Sequence, residues 1–320
     1  MPQSNPNPAF GAHLMAYAGI PSFMRLPVSR ALDDVDVAIL GVPYDSGAAS
    51  WRSGTRFGPR QIRANSLQLW GYNRLLDVDP LAVLRAVDYG DVDVEPTSIA
   101  VTSTRITAVT AEILATNTHV IALGGDHSIT YSLLKAHAAH YGPLAVVHFD
   151  SHTDTYQRVG HLEHGTPFLL ALEEGLIDKA AYVQVGIRGP MEEPTDLEDA
   201  RGLGANVLTI EECFEMGMTA VIQHIHHLIG QRPTYVSLDI DAVDPAYAPG
   251  TGTPEVGGLS SFQILQLVRG LAGLHLIGFD LVEVSPPYDH ADITSILAAN
   301  LVFEFLSLLA SARQKAVPHQ

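Results

Sequence analysis

The sequence predicts a single α/β domain of three layers, with a mainly parallel sheet of about eight strands between two layers of helices. Three observations predict it. Short runs of β-branched and aliphatic residues alternate with segments of helical periodicity along nearly the whole chain, as repeated strand–helix–strand units require. Several of those runs are apolar at every position, as strands covered on both faces must be. The 27 glycines and 20 prolines among 320 residues are dispersed and mark no linker, so one large domain is the simpler reading.

The elements follow in order. Pro2, Pro6, Pro8, Pro21 and Pro27 deny residues 1–30 a long helix, and this stretch reads as an N-terminal arm that packs on a neighbouring subunit or stays disordered. Residues 31–320 form the domain proper. Strands are expected at Val35–Val42, Val83–Tyr89, His119–Leu123, Leu144–Phe149, Tyr182–Ile187, Asn206–Ile210, Thr234–Leu238 and Leu276–Val282. Helices are expected at Pro59–Leu69, Ala100–Ala115, Ile129–His140, Thr166–Glu174, Ala220–Ile229, Ser260–Gly270 and Ile293–Ala312.

Composition bounds the function. Hydrophobic residues make up 47% of the chain, enough to bury a substantial core. A formal net charge of -17 repels phosphate backbones and argues against nucleic-acid binding, while it attracts cations. Cys213 is the one cysteine, which rules out an intrachain disulfide and suits a reducing compartment. Residues 1–10 lack an apolar signal core, and the apolar stretch Ile296–Ala310 is interrupted by Asn300 and Glu304 and is short for a bilayer. The expectation is a soluble, cytoplasmic protein without membrane contact.

Active sites of open parallel sheets lie beyond the carboxyl ends of the strands. Three polar clusters stand there. Gly124-Gly125-Asp126-His127-Ser128 follows the run ending at Leu123, and its glycines permit a tight turn that leaves His127 at the strand tip. In His148-Phe149-Asp150-Ser151-His152-Thr153-Asp154, the alternation of Asp150, His152 and Asp154 puts three ligand-type side chains on one face, which is costly to bury without a cation. In Ser237-Leu238-Asp239-Ile240-Asp241-Ala242-Val243-Asp244-Pro245, Asp239 and Asp241 repeat the pattern, and Asp244 before Pro245 shapes the turn. Two histidines and four aspartates exceed what one ion needs. The mixed set suits two divalent cations, Mn²⁺ first, with Ni²⁺ or Co²⁺ as alternatives. Two close ions acidify a bridging water, and hydrolysis is the chemistry expected of them.

These segments, GGDHS, DSHTD and SLDIDAVDP in that order, resemble the metal motifs of the arginase and agmatinase ureohydrolases. Ala248–Pro254, Gly257-Gly258-Leu259 and Glu283 in Val282-Glu283-Val284-Ser285-Pro286 extend the resemblance from about Val35 to the C-terminus. Ser53–Arg60 is closer to the agmatinase and guanidinobutyrase branch than to arginase. The resemblance implies an arginase-like fold. It also implies that His127, Asp150, Asp154 and Asp239 hold one metal and that His152, Asp150, Asp239 and Asp241 hold the other. It further implies that Asp154 accepts a hydrogen bond from a metal-bridging hydroxide, that His164 shuttles protons, and that Glu283 pairs with the guanidinium, as a bidentate carboxylate suits a planar cation. Thr253 orients the substrate or serves only its loop. Ser151 stands where the family usually has alanine.

The expected reaction is hydrolysis of a small linear guanidine, agmatine-like, to urea and an amine. Guanidinobutyrate, guanidinopropionate, or a nickel-dependent reaction on guanidine, an alkylguanidine or a biguanide are alternatives. The rim loops Ser46–Trp51, Tyr156–Glu163 and Arg188–Asp199 carry Arg158, Glu163, Arg188, Glu192 and Glu193 and do not choose among them. A non-catalytic subunit supporting a paralogue, and a one-zinc deacetylase-like enzyme, fit a six-ligand set less well. The family resemblance implies a homo-oligomer, trimer or hexamer, with pairing to a paralogue a further possibility. Trp51 and His161 are weak candidates for substrate contact. His224, His226 and His227, with His137 and His140, read as surface or interface residues, and Arg56, Arg60 and Arg63 as a structural stripe.

Overall fold

The computed structural model describes residues 15–46, 51–157 and 160–316. Residues 1–14 of the expected arm, 47–50 of one rim loop, and Arg158 lie outside them. The eight strands are β1 (Val37–Val42), β2 (Ala86–Asp91), β3 (His119–Gly124), β4 (Leu144–Phe149), β5 (Ile177–Ile187), β6 (Asn206–Thr209), β7 (Thr234–Asp239) and β8 (Leu276–Val282). They form one sheet in the order β2-β1-β3-β8-β7-β4-β5-β6, every neighbouring pair parallel. Six of the expected strands agree to within a residue or two. β2 is displaced toward the C-terminus, and β5 starts five residues early, its polar opening Asp178-Lys179 lying at the sheet margin.

The helices are α1 (Gly58–Ser66), α2 (Pro80–Val83), α3 (Ile99–Leu114), α4 (Ile129–Tyr141), α5 (Pro167–Glu173), α6 (Asp196–Leu203), α7 (Ile210–Met216), α8 (Met218–Ile229), α9 (Ser261–Gly270) and α10 (Ile293–Ala316). Three of them, α2, α6 and α7, none longer than eight residues, are not marked by the periodicity. Local chemistry accounts for them. Asp79 caps α2 ahead of Pro80. Acidic Asp196, Glu198 and Asp199 crowd the first turn of α6, where the helix dipole favours them. A reciprocal cap between Thr209 and Glu212 starts α7 at Ile210, a residue expected to extend β6.

Two apolar layers flank the sheet. One joins Phe23, Ile62, Val147, Val236, Phe279 and the inner face of α10; the other joins Leu40, Ile106, Leu133, Val146, Phe168 and Tyr182. Helix α10 is longer than the sequence suggested and, by length and composition alone, could cross a membrane, but 83% of its apolar window is buried inside the molecule. Its Glu304 is buried and paired with Arg269 and Asn73. Part of the segment before residue 31 packs on this chain: Phe23 is buried and its amide donates to Asp88 at 2.8 Å.

Candidate metal centre

The strand order decides the site. β3, β8, β7 and β4 are adjacent, although they come third, eighth, seventh and fourth in sequence. Leu123 lies opposite Leu281, Asp239 opposite Val282 and Leu238 opposite Phe149, so the four tips end at one height. The residues that follow those tips therefore meet in space.

Backbone geometry presents them. Gly125 sits at φ +60°, and a Cβ there would lie 2.4 Å from the Val42 carbonyl oxygen, so only glycine makes this turn without strain. Asp154 and Glu283 also hold left-handed φ values, 50° and 62°, where a side chain other than glycine is disfavoured by about 1 kcal/mol or more. Such strain is seen where surrounding contacts over-determine a residue's position.

All six sequence-predicted ligands converge. His127 Nδ1 lies 2.9 Å from Asp154 Oδ2, 3.1 Å from Asp150 Oδ2 and 3.3 Å from Asp239 Oδ2. Yet Nδ1 is buried and makes no hydrogen bond. On the other side of Asp150, His152 Nδ1 is 3.1 Å from Asp241 Oδ2 and 3.6 Å from Asp150 Oδ1. The geometry gives two ligand groups that share Asp150. Burial drives the Asp239 carboxyl well above the usual carboxylate range, and its neighbours Asp241 and Asp150 add to the push. A buried imidazole nitrogen without a hydrogen bond among three carboxylates, and carboxylates that repel each other in a dry site, are both relieved by divalent cations. The residues fit a pair of them.

Around this core lie residues that the sequence reading passed over. His148 is fully buried, and its Nε2 is 2.7 Å from Asp150 Oδ2. Its ring stacks on Phe168 at 3.9 Å. Position 148 shares the alternating face of Asp150, and that periodicity could have singled it out. We take it as the donor that orients Asp150. Asp126 accepts from the amides of Ser46 and Ser128 and holds the turn.

Glu283 accepts from the His127 amide at 2.8 Å, and His164 Nδ1 stands 3.6 Å from its Oε1. Burial alone would keep His164 neutral, but Glu283, with Asp154 and Asp126 behind it, outweighs burial and raises its pKa to about 9. Thr253 Oγ1 lies 3.4 Å from Asp241 Oδ2, a contact to a candidate ligand. The Ser151 hydroxyl donates to Asp241 Oδ1 at 2.7 Å. Asp244 has the turn-shaping place expected of it, accepting from the amides of Ala246, Gly257 and Gly258.

Two expectations are corrected. His137 is not a surface residue: it is fully buried, with Nδ1 2.7 Å from the Leu133 carbonyl and its ring against Tyr235. Arg188 is not a rim cation. It is buried, and its guanidinium is spent on the carbonyls of Gly186, Asp241, Ala242, Glu255 and Val256, tying the ligand-bearing loop to β5. Trp51 is 75% exposed and has Arg52 stacked 4.4 Å from its ring centre. His161 is exposed, as are Glu192 and Glu193. His224 and His226 are half-buried and bonded to Asn206 and to the Gly270 carbonyl. Arg63 is structural, bridging Asp88 and Asp91.

Comparison with known proteins agrees with this geometry. The family model described as Arginase matches residues 35–307. A guanidinopropionase of Pseudomonas aeruginosa is 41% identical over 99% of this chain and 100% of its own length. A mitochondrial agmatinase of Gallus gallus is 42% identical over 92% of this chain and 87% of its own. The solved structure of proclavaminate amidinohydrolase from Streptomyces clavuligerus superposes with a TM-score of 0.89 at 44% identity, over 93% of this chain and 100% of that one.

Proposed function

Since the chain belongs to the arginase family, we propose that it hydrolyses a small linear guanidino compound to urea and an amine at a centre of two divalent cations. The observation that carries this reading is the unpartnered His127 Nδ1 among three carboxylates, with a second imidazole–carboxylate group sharing Asp150. His127, Asp150, Asp154 and Asp239 would hold one cation, and His152, Asp150, Asp239 and Asp241 the other. Bound there, the pair would supply a nucleophile by lowering the pKa of water near neutral pH.

The chain's own residues do the rest. Glu283, buried beside His127, pairs with the planar guanidinium and fixes its carbon next to the cluster. Asp154 accepts the proton that water gives up on attack. The C–N bond to the alkyl nitrogen breaks, and that nitrogen needs a proton to leave as an amine. His164, whose Nδ1 stands 3.6 Å from Glu283, is placed to give it. Thr253 steadies Asp241.

Relatives acting on agmatine and on guanidinopropionate stand at nearly equal identity, so likeness does not choose the tail. We favour agmatine or another guanidine with a cationic tail. The chain's charge is -17, and Arg188, one of the two rim-loop arginines a carboxylate tail could have used and the one among the described residues, is committed to carbonyls. Mn²⁺ is the metal we favour, with Ni²⁺ or Co²⁺ next, given a donor set of imidazoles and carboxylates without thiolate. We also propose a cytoplasmic homo-oligomer. Trp70, Tyr72 and Leu75 are exposed together on the segment between α1 and α2, the kind of apolar surface a second copy covers. The test is urea release across agmatine, guanidinobutyrate, guanidinopropionate, guanidine and a biguanide, with Mn²⁺, Ni²⁺ and Co²⁺ supplied separately. Absence of urea in every combination would overturn the assignment.

A further inference from the structure

We infer that Asp280, a buried carboxylate in the middle of β8, is a positioning residue that acts through Ser237 to keep the hydrogen of the His127 ring on Nε2 and its lone pair on Nδ1, and so sets how tightly one side of the centre holds its cation. The inference rests on the metal-centre reading above.

Asp280 is fully buried in a strand buried at every position. Among the described residues no lysine or arginine lies within ion-pair distance of it, unlike the buried Asp88 beside Arg63. Three hydroxyls surround it instead. Tyr235 OH and Thr130 Oγ1 reach Oδ2 at 2.8 and 3.0 Å, and Ser237 Oγ reaches Oδ1 at 2.6 Å. A carboxylate only accepts, so each hydroxyl turns its hydrogen toward Asp280. Ser237 has one hydrogen and has used it. Its lone pairs are what remain for His127 Nε2, 2.9 Å away, and Nε2 must therefore donate. In a neutral imidazole the other nitrogen is then bare. That nitrogen, Nδ1, is the one that faces Asp150, Asp154 and Asp239 without a hydrogen bond.

The direction of the chain Asp280–Ser237–His127 is thus dictated from its buried end. A ligating histidine whose far nitrogen donates into such a chain is oriented and made more basic, and loss of the outer partner commonly weakens metal binding about 10- to 100-fold. Strand pairing makes the chain possible: Ser237 lies opposite Asp280 in the register of β7 and β8.

The experiment uses the full-length protein, stripped and reloaded with Mn²⁺. Ions per chain are counted by elemental analysis, affinities come from chelator competition, and thermal unfolding of the metal-free form reports folding. Ser237→Ala removes the link. Asp280→Asn offers an amide hydrogen to Ser237 and frees its hydroxyl to turn toward Nε2, which favours the wrong tautomer. Both should lose about 10- to 100-fold in affinity for one of the two ions while the other is kept. Ser237→Thr, which retains the hydroxyl, should restore binding. If Asp280→Asn does not fold, the Ser237 pair decides. Wild-type affinity for both ions in Ser237→Ala would overturn the inference, and so would equal loss of both ions in Ser237→Ala and Ser237→Thr. A wild-type protein that takes up only one ion would sink the metal-centre reading itself, and this inference with it.

Discussion

Asp150 and Glu283 are both buried and both lie against His127, yet they are assigned separate work. Asp150 belongs to both ligand groups, so Asp150→Ala should abolish ion loading and turnover together, as elemental analysis beside urea release would show. Glu283 touches His127 only through its backbone amide. Glu283→Gln should therefore keep both ions and lose about 10²-fold or more in kcat/KM, the scale of a lost charge-assisted contact in the transition state. Full activity in that variant would remove Glu283 from the substrate contact. Leu123, Phe149 and Leu238, the apolar residues just before the site, are completely buried and give the polar tips a rigid base.

At the scale of elements, two buried side chains fix how helices meet the sheet. Arg63 of α1 holds Asp88, within β2, through Nε at 2.8 Å and Nη2 at 2.9 Å, and Asp91, at its end, through Nη1 at 2.6 Å. Arg63→Met leaves Asp88 buried without its counter-charge and should cost about 3–5 kcal/mol in denaturant unfolding. A loss under 1 kcal/mol would mean that the pair is dispensable. His137 of α4 lies in the opposite electrostatic situation, with burial pushing its pKa down to about 4. It is neutral in the folded protein, while the unfolded chain takes up a proton near pH 6.5. No penalty arises above that pH, and stability is lost as pH falls from 6.5 toward 4, by up to about 3 kcal/mol from this group. Metal-free protein compared with His137→Asn by thermal unfolding at pH 7 and pH 5 should show a steeper pH slope in the wild type. Parallel slopes would contradict the assignment.

For the whole molecule, the net charge of -17 acts at long range. A dicationic guanidine such as agmatine should be drawn in by it, so kcat/KM for agmatine should fall as ionic strength rises from about 10 to 200 mM. The value for net-neutral guanidinobutyrate should barely change. Identical salt dependence for the two would exclude steering. Assembly is tested by light scattering after size-exclusion chromatography: wild type should run as an oligomer and Trp70→Glu as a smaller species. An unchanged mass in Trp70→Glu would place the contact elsewhere.

The sequence by itself determined six of the eight strands closely, the longer helices and the six candidate ligands that converge, because apolar runs and strand-tip polar clusters are local patterns read from neighbours in the chain. It could not determine which tips would meet. That depended on β8 and β7 inserting between β3 and β4, a choice made by the burial of whole faces. The same limit hid the fate of long polar side chains. Arg188 looked available on a rim loop and is spent on five carbonyls, and His137 looked like a surface residue but sits beneath the sheet. Asp280 shows the limit most plainly: an acidic residue in an apolar strand gives no local hint of its partners. Its three hydroxyl donors come from α4 and β7, and only tertiary packing brings them to it.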